Sequence, residues 1–196
     1  MVNKLDTQDY PQFVAGLFKD MGNETLNAFH AVTGLTGEAG EVLDLAKKNW
    51  IYGKKVDAEL MEELGDFRFY LQALINMFEG YGFEYTVPKH PDGELRSEAS
   101  HTLMLATGQL HREATEIFSV VFLQWSDFQE LEAAQIYLLR ERVRKICRLY
   151  ENLIHFCIGG FDQREQIILI NMEKLSKRYP GGVFDAEAAI ARADKA

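Results

Sequence analysis

Two pairs of carboxylates have a spacing that could do chemistry: Glu38 and Glu41 in "TGLTGEAGEVLDLAKK", and Glu63 and Asp66 in "EELGDFRFYL". The members of each pair are three residues apart, which on a helix places them on one face about a turn from each other. Glu62 and Asp66, four apart, share a face as well. Val42 and Leu45 flank the first pair and Leu64 and Phe67 the second, so the acids border apolar stripes. Carboxylates gathered at the seam of two helices repel, and removing each from water costs several kcal/mol. A bound divalent cation resolves that conflict. Mg²⁺, with Mn²⁺ as its substitute, prefers oxygen ligands in near-octahedral geometry, and two rigid helical walls can supply them. A di-iron bundle would use Glu-x-x-His pairs, and none of these acids has a histidine three residues after it, so Mg²⁺ is favoured.

The first pair sits among Gly34, Gly37 and Gly40. Glycine in a helix interior costs about 1 kcal/mol relative to alanine, and three at this spacing line one face. The expectation is a close approach of another helix or a ligand to the backbone beside the acids. Lys47 and Lys48 follow within three turns, and Lys54 and Lys55 stand in the next loop, where some could meet phosphate. His30, Trp50 and Tyr52 could stack a base.

Helices must position these groups. Residues 24 to 49 read as one helix, followed by the loop "WIYGKKVD"; a second begins near Asp57 and carries Leu60, Leu64, Phe67, Leu71, Leu74, Ile75 and Phe78 as one buried stripe. "EGYGFEYTVPKHPDGE" breaks the pattern with glycine and proline. Apolar-periodic segments over 97 to 125 and 129 to 157 predict two more helices, and "QREQIILINMEKLSKRY" a fifth. Asp185 can cap a short last one. No alternating strand pattern stands out, so the expected class is all-α, a helical bundle in one domain.

The 196 residues are 47% hydrophobic and 26% charged, ordinary for a packed protein. A net charge of -9 argues against a nucleic acid polymer as partner, although a cation and a few local bases can still admit one small anion. Cys147 and Cys157 have no metal-binding spacing and suit reduced thiols. With no leader pattern and no apolar run of transmembrane length, a cytoplasmic protein without a membrane partner is expected. Residues 31 to 50 and 106 to 125 share a faint echo, "GEAGEV" against "REATEI". The second pair that this creates, Glu113 and Glu116, has no Glu-x-x-Asp after it at a comparable distance, and reads as solvent-facing or vestigial.

"HAVTGLTGEAGEVLDLAKK" from His30, followed by "EELGDFRFYL" from Glu62, resembles the signature of the MazG-like nucleotide pyrophosphohydrolases, the all-α NTP pyrophosphatases. "NMEKLSKRYPGG" is similar to that family's closing helix and would place Asn171, Lys174 and Arg178 as substrate-binding groups on successive turns. The resemblance covers a core of 24–83 and 161–196 and leaves a helical insertion, about 84–160, that the family does not explain. It implies Mg²⁺-dependent hydrolysis of a nucleoside triphosphate, (d)NTP, between the α and β phosphates, giving monophosphate and diphosphate. Glu38, Glu41, Glu63 and Asp66 would be catalytic metal ligands, Glu38 also orienting the attacking water. Glu62 is a further ligand, a partner to a ligand, or a clamp for lysine. Lys47, Lys48, His30 and Trp50 join the candidate substrate contacts. A homo-dimer or homo-tetramer is expected, since the family is typically one or the other. The alternative is a non-catalytic nucleotide-binding or scaffold protein on the same fold.

Overall fold

The computed structural model describes residues 6–79, 82–83, 99–126, 131–159 and 162–191. They form a 3-10 turn, Thr7–Asp9, and seven α-helices: α1 (Tyr10–Leu17), α2 (Glu24–Tyr52), α3 (Asp57–Glu79), α4 (Ala99–Ser126), α5 (Ala133–Leu153), α6 (Asp162–Arg178) and α7 (Ala186–Ala191). No strand occurs among the described residues, so the protein is all-α in them. Most of the break after Glu79, with His90, and Gly160 lie outside the described residues.

Local signals explain where the long helices begin and end. Asn23 accepts the Leu26 N–H at 2.8 Å and caps α2. The helix runs three residues past its expected end, through Tyr52, because its stop is not the fading apolar stripe but Gly53. That residue adopts a left-handed conformation, φ 65°, and donates back to the Asn49 carbonyl. α5 passes through a π-helical turn, Ile154–Ile158, before Gly159 ends it at φ 117°. Asp185 accepts the Ala188 N–H at 2.7 Å and starts α7, as its position predicts.

α2 is the spine: it packs along α4 on one side and α3 on another, while α5 covers α4 and α6 lies on α3. The Thr36 hydroxyl donates to the Ala114 carbonyl at 3.1 Å, fixing α2 against α4. One apolar core runs through α1 to α6, with Leu35, Leu64, Phe67, Leu110, Ile146 and Tyr150 among its fully buried side chains. Each such side chain contributes roughly 1.5–3 kcal/mol. Segment 84–160 therefore supplies, in α4 and α5, two walls of the same core that 24–83 builds. A small second cluster of Leu17, Leu175 and Tyr179, with Phe184 against it, ties α1 to α6 and to the turn before α7.

α1 was not foreseen. It is held by a polar ladder along α3: Arg68 donates to Gln72 at 2.7 Å, Gln72 to Asn76 at 2.6 Å, and Asn76 to the Pro11 carbonyl at 2.9 Å. Burying these polar groups is tolerable because each hands a hydrogen bond to the next.

Candidate metal centre

Glu38 and Glu41 project from α2 toward Glu63 on α3, and one carboxylate oxygen of each lies within 4.8 Å of the others. The separation fits a hard cation, since opposite oxygens around Mg²⁺ stand about 4 Å apart. Electrostatics supports the fit. Burial, then the Asp66, Glu41 and Glu63 carboxylates, push the Glu38 carboxyl from its ordinary 4.5 up to about 8, against a smaller opposing pull from Lys174. Glu63 rises to about 6, first by burial and then by Glu41 and Asp66. The cluster carries more negative charge than its lysine can balance, and a divalent cation is what would relieve it.

Asp66, expected as a fourth ligand, is managed by α6. Gly65 lets the two helices meet: a Cβ there would stand 3.0 Å from the Asn171 Cβ and 3.2 Å from the Ile167 carbonyl oxygen. Across this contact Asn171 donates its side-chain N–H to Asp66 at 2.9 Å, and Lys174 reaches the other Asp66 oxygen at 2.5 Å. Lys174 also meets Glu62 at 2.8 Å, so of the three roles open to Glu62 the structure displays the lysine clamp. Burial would lower the pKa of Lys174, whose side chain is 10% exposed, but its hydrogen bonds to Asp66 and Glu62 raise it instead. It stays charged at neutral pH.

Two clefts open beside the acids. The first, about 160 Å³, is lined by Glu38 and Asp66, and Arg178, Phe18, His30, Tyr70 and Phe184 are among its other walls. His30 stacks on Phe18 with ring centroids 4.4 Å apart, and burial lowers its pKa, which favours the neutral ring. The second, about 370 Å³, is shallow and bounded by Gly37, Gly40, Glu41, Asp44, Leu45, Lys48 and Glu63. The structure thus brings Arg178 and His30 to the acids and sets Lys48 at the edge of the second cleft.

Other sequence candidates have partners of their own or stand apart from both clefts. Lys47 and Lys48 both bind Asp44, Lys48 at 2.7 Å, and hold its carboxyl down at about 2. Trp50, 51% exposed near the end of α2, is in the walls of neither cleft. Asn171 is 1% exposed, with its amide committed to Asp66 and to the Tyr10 hydroxyl, which donates to it at 2.9 Å.

Two expectations need correction. Gly34, Gly37 and Gly40 do not act alike: a Cβ on Gly34 would clash with the Tyr70 ring, one on Gly40 would touch His111 at 3.9 Å, and one on Gly37 would meet nothing within 4 Å among the described residues beyond its own stretch of helix. Glu113 does not face solvent. Its side chain is 3% exposed and meets Arg112 at 3.0 Å, Arg142 at 3.3 Å and Lys145 at 2.7 Å. Arg142 also reaches Glu116 at 3.4 Å. α5 presents bases where an acid pair was sought, so this cluster neutralises itself.

Sequence reasoning passed over Gly65, Tyr10, Phe18 and Tyr70. Gly65 carried a usable signal, as a glycine within an otherwise unbroken helical pattern marks a close approach. The aromatic walls carried none, being spaced like ordinary core residues. Among the described residues, no helix is long and apolar enough to cross a membrane. Comparison of the chain with models of known protein families, with curated proteins and with solved structures finds no match in any of the three.

Proposed function

We propose that the protein is a Mg²⁺-dependent nucleoside triphosphate pyrophosphohydrolase of the MazG-like, all-α type, cleaving (d)NTP to monophosphate and diphosphate. The observation that carries this reading is the convergence of Glu38, Glu41 and Glu63 within 4.8 Å between two clefts, Glu38 lining the one that also holds Arg178, and Glu41 and Glu63 lining the other. Those three carboxylates, with Asp66 beside them, would hold the cation. When bound, Mg²⁺ neutralises charge on phosphate oxygens and acidifies water.

The chain's own groups account for the rest. Arg178 offers a planar fork to a phosphate in the first cleft, which Glu38 and Asp66 also line. Phe18, Tyr70 and Phe184 form apolar walls on which a base can lie, and His30, neutral and stacked on Phe18, extends that surface. Glu38, the most basic carboxyl of the set, orients the attacking water. Lys174 holds Asp66 and Glu62 in place and limits repulsion among the acids. The open backbone at Gly37 leaves the second cleft free for the outgoing phosphates.

The test is incubation of the purified protein with Mg²⁺ and, separately, each common NTP and dNTP, with chromatographic resolution of the products. Monophosphate with equimolar diphosphate is expected, and the preferred base appears in the same experiment. Absence of turnover with every nucleotide in both Mg²⁺ and Mn²⁺ would overturn the proposal.

A further inference from the structure

Tyr10 lies on α1, far in sequence from the acids, yet its hydroxyl is two hydrogen bonds from one of them. The path runs from Tyr10 Oη to Asn171 Oδ1 at 2.9 Å, and from Asn171 Nδ2 to Asp66 Oδ1 at 2.9 Å. Both relay residues are 1% exposed, so water does not compete for these bonds.

The direction of the relay is set by donor chemistry. Burial raises the Tyr10 pKa well above its ordinary value, so the phenol keeps its proton and has a donor to offer. An ionised carboxylate only accepts. An amide lying between a phenol that donates and a carboxylate that accepts has one satisfactory orientation, with its oxygen toward Tyr10 and its nitrogen toward Asp66. Without the hydroxyl, the buried Asn171 oxygen loses its donor, and the amide is anchored at its Asp66 end alone. An amide free to shift toward another donor holds the Asp66 carboxylate less firmly in its place beside Lys174. The phenol is itself fixed: Arg68 sits over its ring at 5.8 Å, and the Arg68–Gln72–Asn76 ladder anchors α1 through the Pro11 carbonyl.

We propose that Tyr10 is a positioning residue for the metal centre, orienting the Asn171 amide so that Asp66 is held ready to complete the Glu38, Glu41 and Glu63 cluster. This rests on the proposed function, because it assumes that the cluster takes a cation. Residues that hold a metal's ligands typically contribute 10- to 100-fold in affinity. Asn171 acts directly on Asp66 and belongs in that range; Tyr10, one bond further out, should contribute about tenfold.

The test is calorimetric titration of Mg²⁺ and Mn²⁺ into the full chain without nucleotide, alongside steady-state kinetics. Tyr10→Phe should weaken metal binding about tenfold and raise by a similar factor the Mg²⁺ needed for half-maximal turnover. KM for nucleotide at saturating Mg²⁺ should not change. Asn171→Leu should weaken binding 10- to 100-fold, and adding Tyr10→Phe to it should cost nothing more. Val14→Ala, which loosens the packing of α1 at a fully buried position and removes no member of the hydroxyl relay, should lower the melting temperature and spare metal affinity. Unchanged metal binding in Tyr10→Phe overturns the inference while the proposed function stands. Equal weakening by Val14→Ala and Tyr10→Phe overturns it as well, because α1 would then act through stability alone. A wild-type protein that binds neither metal overturns the proposed metal centre and this inference with it.

Discussion

Two of the protein's Glu-x-x-Glu pairs, on helices packed against each other, have opposite surroundings. Glu38 and Glu41 on α2 meet Glu63 on α3, with Asp66 nearby. Glu113 and Glu116 on α4 meet Arg142 and Lys145, which are three apart on α5. The first cluster is short of positive charge, and the Glu38 carboxyl is driven up to about 8. In the second, burial would raise the Glu113 pKa, but hydrogen bonds from Lys145 and Arg112 outweigh it and the pKa is lowered. Spacing on one helix decides only that two acids are presented together. The helix facing them decides whether they wait for a cation or already have one.

The comparison is broken most forcefully by neutralising one acid in each cluster. Glu41→Gln should keep the fold and reduce metal-dependent turnover by about a thousandfold, corresponding to roughly 4 kcal/mol of transition-state stabilisation. Glu116→Gln should leave turnover within about twofold, since its partner Arg142 is retained by Glu113. Comparable losses in both variants, measured at saturating Mg²⁺, would mean that the second cluster shares in the chemistry.

Stability should respond with opposite signs. Glu113→Gln removes a buried carboxylate from three bases and should destabilise the protein by about 3 kcal/mol. Glu38→Gln should stabilise the metal-free protein at pH 8. The sign follows from linkage: the folded protein holds a proton on Glu38 up to about pH 8, whereas the unfolded chain releases it near 4.5. Between those values the folded state binds more protons, so stability is greatest below about 4.5 and falls as pH rises to 8. Glu63, raised to about 6, adds to the fall over a narrower window. Melting curves of metal-free wild type should therefore drop from pH 5 to pH 8, and those of Glu38→Gln should drop less. A wild-type profile that rises over this range would contradict the crowding of the first cluster.

This contrast also marks what the sequence could disclose. The all-helical class, the start of α3 at Asp57, the cap at Asp185 and the presentation of Glu38 and Glu41 on one face of α2 follow from local spacing, because a helix repeats every few residues whatever it packs on; their meeting with Glu63 across two helices is expected from the resemblance and not from any period. The bases opposite Glu113 are on another helix about thirty residues away, and no one-dimensional period connects them. Asn171 shows the same limit: it lies on the face expected of it, but its amide is committed to Tyr10 and Asp66. Tyr10 itself belongs to an eight-residue helix of about two turns, whose stripe of Tyr10, Val14 and Leu17 is too brief to stand out from a chance pattern. Lys47 and Lys48, of which some could meet phosphate, both pair with Asp44 one turn earlier on the same helix, a partner that the expectation of phosphate contacts left out of account.

The smallest effect concerns the glycines that run beside the first pair of acids and sharpens the comparison within α2 itself. Gly34 and Gly37 look equivalent in sequence, yet a Cβ at Gly34 would clash with the Tyr70 ring and one at Gly37 would meet, among the described residues beyond its own stretch of helix, nothing within 4 Å. Gly34→Ala should therefore force Tyr70 off its packing and lose about 1–2 kcal/mol. Gly37→Ala should gain about 0.5–1 kcal/mol, because nothing opposes the better helix former. Urea unfolding of the two variants decides the matter. If Gly37→Ala is as damaging as Gly34→Ala, the open backbone at Gly37 is filled by a group of the protein itself, and the second cleft would be closed to phosphate. If it is stabilising, the glycine has been kept at the expense of helix stability, and a rise in nucleotide KM in the same variant would identify the ligand as what needs the space.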